Sequence, residues 1–297
     1  MTDRAYDRRR ALLGLVLIAE VAAATALIPR TTAIVRTREN PTPSTSLAPA
    51  NATPDTLVLA DGRTVNFLGL GGTTTSALLA RVAAQIGGAV DAVVAFWGAD
   101  WQRDIVVVAT GSDEQFHQLT HAPGGVQWVD VAAAAVADGV DPVHHTATGQ
   151  RVVFAPGASA MSDYALRIVL RHELFHFASR AETALDAPRW LTEGVADFVG
   201  RPPTPRPGPA SADELATLPP DADFDSSGAA QSLAYDRAWW FARFVADAYG
   251  TATLRTLYLR VGGTGHPDLA SAFREVLHVD EADLLTRWRS WLADTAQ

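Results

Sequence analysis

Apolar and polar positions divide the chain into an apolar run near the N-terminus, a polar segment and a long remainder with regular periodicity. Residues 11–28 are apolar except for Glu20 and follow a basic segment, residues 1–10, that contains Arg8, Arg9 and Arg10. Eighteen residues is at the lower limit for a bilayer-spanning helix, and a basic start before an apolar run also describes a secretory signal. Residues 11–28 are therefore expected to form a transmembrane anchor or signal sequence; the alternative is an amphipathic or buried helix of the fold.

Residues 29–56 are rich in proline, threonine and serine and contain few large apolar side chains after residue 36. Such a composition cannot bury enough apolar surface to fold, so the segment is expected to be a linker. An anchor followed by a linker predicts a single-pass protein of the cell membrane whose folded part lies outside the cytoplasm. Cleavage of a signal sequence would give a secreted protein instead.

Residues 57–160 combine strand and helix patterns. Apolar residues at helical spacing predict a helix over residues 75–94, and Ser112 can cap a short helix that ends near residue 118. Short runs rich in β-branched residues predict strands at residues 65–68, 104–109, 126–131 and 151–154.

Residues 161–297 carry mostly helical periodicity, interrupted by a loop over residues 201–230 that is rich in proline, aspartate and serine. The predicted helices cover residues 163–179, 190–199, 231–249, 251–261, 267–277 and 281–292. Strands in the first part and helices in the second predict an α+β fold, with a small N-terminal mixed sheet packed on a helical C-terminal half.

The amino-acid composition excludes several classes of catalytic group. The chain has no cysteine, and all 24 of its basic residues are arginine. This excludes thiol nucleophiles, cysteine–zinc sites, Schiff-base chemistry and a P-loop with its lysine. Residues 1–56 hold seven arginines against five acids, so the formal charge of −9 arises from an acidic remainder, which argues against a nucleic-acid partner.

The sequence His172-Glu-Leu-Phe-His176 lies inside the helix predicted over residues 163–179. Residues four apart lie on one helix face, so both imidazoles can reach one metal ion. Glu173 lies next to that face, where its carboxylate can act as a general base on water. The alternative is that the two histidines only pack on the side of the helix, with a surface glutamate between them.

A catalytic zinc ion needs a third protein ligand, which must come from elsewhere in the chain. Glu193 lies 17 residues after His176 on a second predicted helix that could fold back against the first. Asp197 follows one turn later and could accept the free ring N–H of a ligating histidine. Two solvated acids on a helix face are the alternative for this pair, and Glu182 is the alternative third ligand.

The two segments HELFH and WLTEGVADF together resemble the gluzincin zinc metallopeptidases of the thermolysin-like clan, most closely the peptidase-MA-like family. The resemblance implies that His172, His176 and Glu193 bind Zn²⁺ and that Glu173 is the general base and acid. It also implies that Asp197 orients a ligating histidine.

The same resemblance extends to substrate binding. The run Arg151, Val152, Val153 and Phe154 resembles the edge strand on which these enzymes lay an extended substrate. No residue is an evident donor for the oxyanion of the tetrahedral intermediate. Tyr235 is a candidate because other gluzincins use a downstream tyrosine, and a helix tyrosine at the edge of the core is the alternative; His144 and His145 are further candidates.

The sequence therefore predicts a zinc-dependent metallopeptidase that acts on a peptide or protein substrate and is held at the membrane through residues 11–28 if these are not cleaved. A zinc-bearing but catalytically inactive membrane-tethered scaffold is the first alternative. A metal-free binding module that merely contains HELFH is the second.

Overall fold

The computed structural model describes residues 55–120 and 131–294. The predicted segments 1–10 and 11–28, and all of the linker except its last two residues, lie outside the described residues. The predicted strand 126–131 also lies outside them, apart from Val131, which is not in a strand. The first strand begins at Thr56, the last residue of the predicted linker.

Within the described residues the chain has a mixed α+β fold. Its strands are β1 Thr56–Val58, β2 Thr64–Gly69, β3 Asp104–Ala109, β4 Ala133–Val136, β5 Gly139–Asp141, β6 Thr146–Thr148 and β7 Arg151–Phe154. The main sheet has five strands, in the order β1-β2-β3-β7-β4. Strands β2, β3 and β7 are parallel, whereas β1 and β4 pair antiparallel at the two edges. Strands β5 and β6 form a separate hairpin.

Strand β7 matches the predicted bounds, but the expectation that it is an edge strand is wrong. It lies between β3 and β4, and both sides of its backbone are engaged in pairing. The edge is instead β4, an alanine-rich segment without the alternation that identifies a strand in a sequence. Arg151, Val152, Val153 and Phe154 are therefore unable to pair with an extended substrate.

The described residues form nine α-helices, and the six helices predicted for the second half are confirmed to within two residues at each end. The predicted loop over residues 201–230 contains a short α-helix, Pro209–Leu215, and a 3₁₀ helix, Asp221–Asp225. The α-helices are α1 Thr73–Trp97, α2 Asp113–Thr120, α3 Asp163–Ser179, α4 Arg189–Gly200, α5 Pro209–Leu215, α6 Ala229–Tyr249, α7 Thr251–Gly262, α8 Leu269–Leu277 and α9 Glu281–Ala293.

Helix α1 is long and apolar enough, by length and composition, to cross a membrane. One of its faces is buried in the core of the protein, where Phe96 and Trp97 meet the ring of Phe175 on α3 edge to face. Trp97 also packs edge to face on Tyr258 of α7. The C-terminal end of α1 thus joins α3 to α7.

Helix α3, which carries the HELFH sequence, is held at its N-terminus by hydrogen bonds from two sources. The Ser162 side chain accepts a hydrogen bond from the Ala165 N–H, which satisfies one of the free amide groups at the helix start. Arg81 of α1 donates to Asp163 Oδ1 at 2.7 Å and to the Met161 carbonyl at 2.5 Å. Both contacts set where the helix begins.

Helix α4 lies between α3 and α6 and approaches both closely through glycine. A Cβ atom added at Gly200 would lie 3.0 Å from the Ile168 carbonyl oxygen of α3 and 3.5 Å from His172 Cβ. A Cβ atom added at Gly194 would lie 2.4 Å from the Ala238 carbonyl oxygen of α6. The close approach at Gly200 brings Glu193 and Asp197 within reach of the histidines.

Gly194→Ala is expected to lower the free energy of unfolding by about 1–3 kcal/mol, because its methyl group overlaps the backbone of α6. The matched control is Gly88→Ala in α1, where an added Cβ meets nothing within 4 Å. That control should raise stability by about 0.5–1 kcal/mol, since alanine favours a helix over glycine. Chemical denaturation of both variants measures the difference, and equal stabilities would contradict the close packing of α4 on α6.

Candidate metal centre

Three side-chain atoms converge where α3 meets α4. The Nε2 atoms of His172 and His176 lie 3.0 Å apart, and Glu193 Oε2 lies 3.3 Å from the first and 3.5 Å from the second. Adjacent ligand atoms of a tetrahedral zinc ion, with bonds of about 2.0–2.1 Å, lie about 3.3–3.4 Å apart. The three separations are close to the edges of such a tetrahedron, so this group can bind a metal ion.

His172 is oriented by its other ring nitrogen. Its Nδ1 lies 2.9 Å from Asp197 Oδ1, and Asp197 Oδ2 in turn forms an ion pair of 2.7 Å with Arg201. A carboxylate accepts rather than donates, so Nδ1 carries a proton, and once Nε2 has lost its own proton its lone pair is directed at His176 and Glu193. This is the tautomer that metal binding requires.

One carboxylate oxygen of the site lacks a hydrogen bond that a bound cation would replace. Glu193 Oε2 is buried, and its nearest polar neighbours are the two imidazole Nε2 atoms at 3.3 and 3.5 Å, so it has no well-formed hydrogen bond among the residues that the structure describes. Two imidazole nitrogens and this carboxylate oxygen form a donor set that zinc accepts readily. The residues present therefore fit a divalent metal ion. His172 and Glu193 are buried, whereas His176 is partly exposed, which leaves the site open on the His176 side.

The histidines and Glu193 shift one another's pKa. Burial disfavours the charged form of His172, but the hydrogen bond to Asp197 and the nearby Glu193 raise its pKa to about 10. Burial lowers the pKa of His176. Burial favours the neutral form of Glu193, but the two histidines lower its pKa to about 2. At neutral pH and without metal, His172 is thus charged, His176 is neutral and Glu193 is a carboxylate.

Metal binding at pH 7 is expected to release at least one proton per ion, because the Nε2 proton of His172 must leave before that atom can bind. Since the pKa of His172 is raised, its proton competes with metal throughout the range from neutral pH to about 10. Apparent affinity should therefore rise about tenfold per pH unit over that range. Calorimetry in buffers of different ionisation enthalpy counts the released protons. A count of zero would contradict the charge state of His172.

Glu173 lies beside the three converging atoms and is also buried. Its Oε2 accepts a hydrogen bond of 2.7 Å from the Ala135 N–H of the edge strand β4. Burial raises the pKa of Glu173 to about 8, against the opposing effect of the His172 charge. A carboxyl group with a pKa near neutrality can both accept and return a proton.

The other predicted candidates are not part of the three-residue group. Tyr235 is buried, with its ring 5.0 Å from the ring of Phe224, and burial and the Glu193 charge raise its pKa well above 10. His144 and His145 are exposed and pair with Asp141 at 2.6 Å and with Glu182 at 2.7 Å. Glu182, the alternative third ligand, is therefore engaged by His145 and lies outside the converging group.

A small cavity adjoins His176 and Glu193. Two of its lining residues, Arg180 and Tyr258, were not predicted from the sequence as part of a site. Arg180 lies four residues after His176, so helical spacing from HELFH could have indicated it. Tyr258 reaches the cavity from α7, and its position depends on tertiary packing alone.

The geometry thus provides a metal-binding group, a buried carboxyl group that can exchange a proton, and an adjoining polar cavity. Together these features can support hydrolytic chemistry. No model of a known protein family, no curated protein and no solved structure matches this chain.

Proposed function

We propose that this protein is a zinc-dependent metallopeptidase. The observation that carries the proposal is the convergence of His172, His176 and Glu193 at separations of 3.0–3.5 Å, with Glu173 beside them. The same four residues are the ones that the resemblance to gluzincins names. When bound at the three ligands, a zinc ion supplies Lewis-acid chemistry that activates water and polarises a carbonyl group.

Glu173 serves as general base and acid. Its Oε2 is held by the Ala135 N–H, which leaves Oε1 to accept the proton of the attacking water. The carboxylate form is favoured by positive charge nearby, and burial favours the return of the proton to the leaving amine. The hydrogen bond from β4 therefore keeps one oxygen fixed while the other moves the proton.

In this proposal an extended substrate adds to the unpaired side of the edge strand β4, whose alanines are buried among the described residues. Because the Ala135 N–H donates to Glu173 rather than to β7, the backbone of Ala135 faces away from its sheet partner. An extended peptide that adds to this edge lies beside Glu173. The role that the resemblance assigned to Arg151, Val152, Val153 and Phe154 thus passes to the neighbouring strand, Ala133–Val136.

Tyr235 supplies a hydrogen bond to the developing oxyanion. A phenol is protonated at neutral pH and can donate, and the raised pKa of Tyr235 keeps it protonated in alkaline solution as well. The proposal also places the folded part outside the cytoplasm, on the pattern of residues 11–28 alone, with a peptide or protein as substrate.

The proposal is tested by incubating the purified protein with a mixture of unstructured peptides and analysing the products by mass spectrometry. Cleavage is expected with the zinc-loaded protein, loss of cleavage after a chelator removes the metal, and recovery when zinc is added back. Cleavage that persists without metal, or the absence of any cleavage with one zinc per chain bound, would contradict the proposal. The second result would favour the zinc-bearing scaffold.

A further inference from the structure

Arg180 is a largely buried cation next to the metal ligands. Its side chain is 9% exposed, and none of the residues that the structure describes accepts a hydrogen bond from the guanidinium or forms an ion pair with it. Its position just after α3 does not provide a partner either, since no described carbonyl oxygen accepts from it. Burial lowers the pKa of Arg180, which reflects the free-energy cost of an isolated buried charge.

The guanidinium lines the cavity beside the metal ligands. The cavity is bounded by His176 and Glu193 on one side and by Ser179, Arg180, Thr183 and Tyr258 on the other. The Arg180 charge lowers the pKa of His176, which shows that the two side chains lie within electrostatic range. A group that binds Arg180 from this cavity is therefore adjacent to the metal centre.

The neighbouring polar groups of the cavity are already satisfied. Thr183 Oγ1 lies 2.9 Å from the Tyr258 hydroxyl, and that hydroxyl donates to Ser179 Oγ at 3.3 Å. Thr183 Oγ1 also donates to the Ser179 carbonyl at 2.8 Å. Because these hydroxyl groups bond to one another, Arg180 is the group in this wall that no described residue engages. None of its nitrogens is a fully buried atom without a partner, so the guanidinium reaches solvent and is accessible to a ligand.

The charge balance favours an anion. With a divalent cation at the three ligands, the charges of that cation and Arg180 exceed those of Glu193 and Glu173. A guanidinium matches a carboxylate in shape and charge through paired N–H donors.

We propose that Arg180 binds a carboxylate of the substrate next to the scissile bond, so that the enzyme selects peptides with a carboxylate at that position. The inference rests on the proposed peptidase function and specifies its substrate class. The carboxylate belongs either to the C-terminus of a short peptide or to an acidic side chain, and both present the same group to the guanidinium.

The test measures peptide binding to the full chain carrying Glu173→Gln, so that the probes are not cleaved. One pair of probes is N-acetyl-alanyl-alanine and its C-terminal amide. The other pair has aspartate or asparagine as the last residue, both as C-terminal amides. Each pair is measured with Arg180 intact, with Arg180→Gln, and with Arg167→Gln as the control. Arg167 is an exposed residue of α3, the helix that Arg180 follows, so its loss makes the same charge change away from the cavity.

The carboxylate member of at least one pair is expected to bind more tightly than its neutral counterpart. Arg180→Gln should remove about tenfold to 100-fold of that affinity while binding of the neutral probe stays unchanged. Arg180→Lys should retain part of the preference, and Arg167→Gln should retain all of it. The probe pair whose preference depends on Arg180 shows whether the carboxylate is the C-terminus of the peptide or an acidic side chain.

A preference that survives Arg180→Gln, or no preference in either pair, would overturn the inference. Thermal unfolding and zinc content of each variant identify any that fail to fold, and Arg180→Lys then decides the result. Zinc content and peptide cleavage of the unmodified protein test the proposed function separately. Peptide binding is measured with and without zinc and does not depend on cleavage. The role of Arg180 is therefore tested even if the peptidase proposal fails.

Discussion

Glu173→Gln is expected to lower the rate of peptide hydrolysis by about 10²–10⁴-fold while the zinc content stays that of the unmodified protein. Glutamine has the same shape, and its carbonyl oxygen can still accept the hydrogen bond that Ala135 donates to Glu173 Oε2. It cannot accept and return a proton. The substitution therefore removes the general base and leaves His172, His176 and Glu193 in place.

The control for this substitution is Glu182→Gln, which makes the same chemical change three residues after α3 ends. Glu182 is partly exposed and pairs with His145, outside the converging group. Its substitution should change the rate less than about twofold, within the range of surface changes. Equal rates for Glu173→Gln and the unmodified protein, with both carrying zinc, would remove Glu173 from the mechanism.

Glu193→Ala is expected to reduce zinc affinity by more than about 100-fold, because loss of a group that only orients a ligand already costs about 10–100-fold. The substitution removes the only carboxylate of the three-ligand group and leaves two histidines. Asp197→Asn should fall within the 10–100-fold range, since Asp197 orients His172 through Nδ1 without reaching the ion.

Competition against a zinc-binding dye of known affinity measures this series, and Glu182→Ala is the matched control. Glu182 was the alternative third ligand in the sequence, so the two glutamate variants are a direct comparison. A loss of zinc affinity in Glu182→Ala together with full affinity in Glu193→Ala would show that Glu182, and not Glu193, is the third ligand.

The sequence predicts the metal-binding group well because most of it depends on local geometry. His172 and His176 lie on one helix face through a spacing of four, which any α-helix reproduces. Bringing Glu193 to them requires tertiary packing, but the apolar pattern of α4 and the small residues Gly194 and Gly200 already favour a buried, closely packed helix.

The sheet was predicted less completely because strand pairing is not a local property. The alanines of β4 have no β-branched or alternating pattern, and pairing with β7 determines their conformation. The expected edge position of Arg151–Phe154 was wrong for the same reason, since a strand pattern does not specify its neighbours. Arg180 was missed because its burial depends on the packing of α7, which supplies Tyr258.

The most direct test of the central claim is the zinc content of the purified protein, measured by elemental mass spectrometry beside Glu193→Ala. About one zinc ion per chain in the unmodified protein, and its loss or strong reduction in the variant, is the predicted result. No bound metal, together with no uptake when zinc is added, would contradict the metal centre and with it the peptidase function.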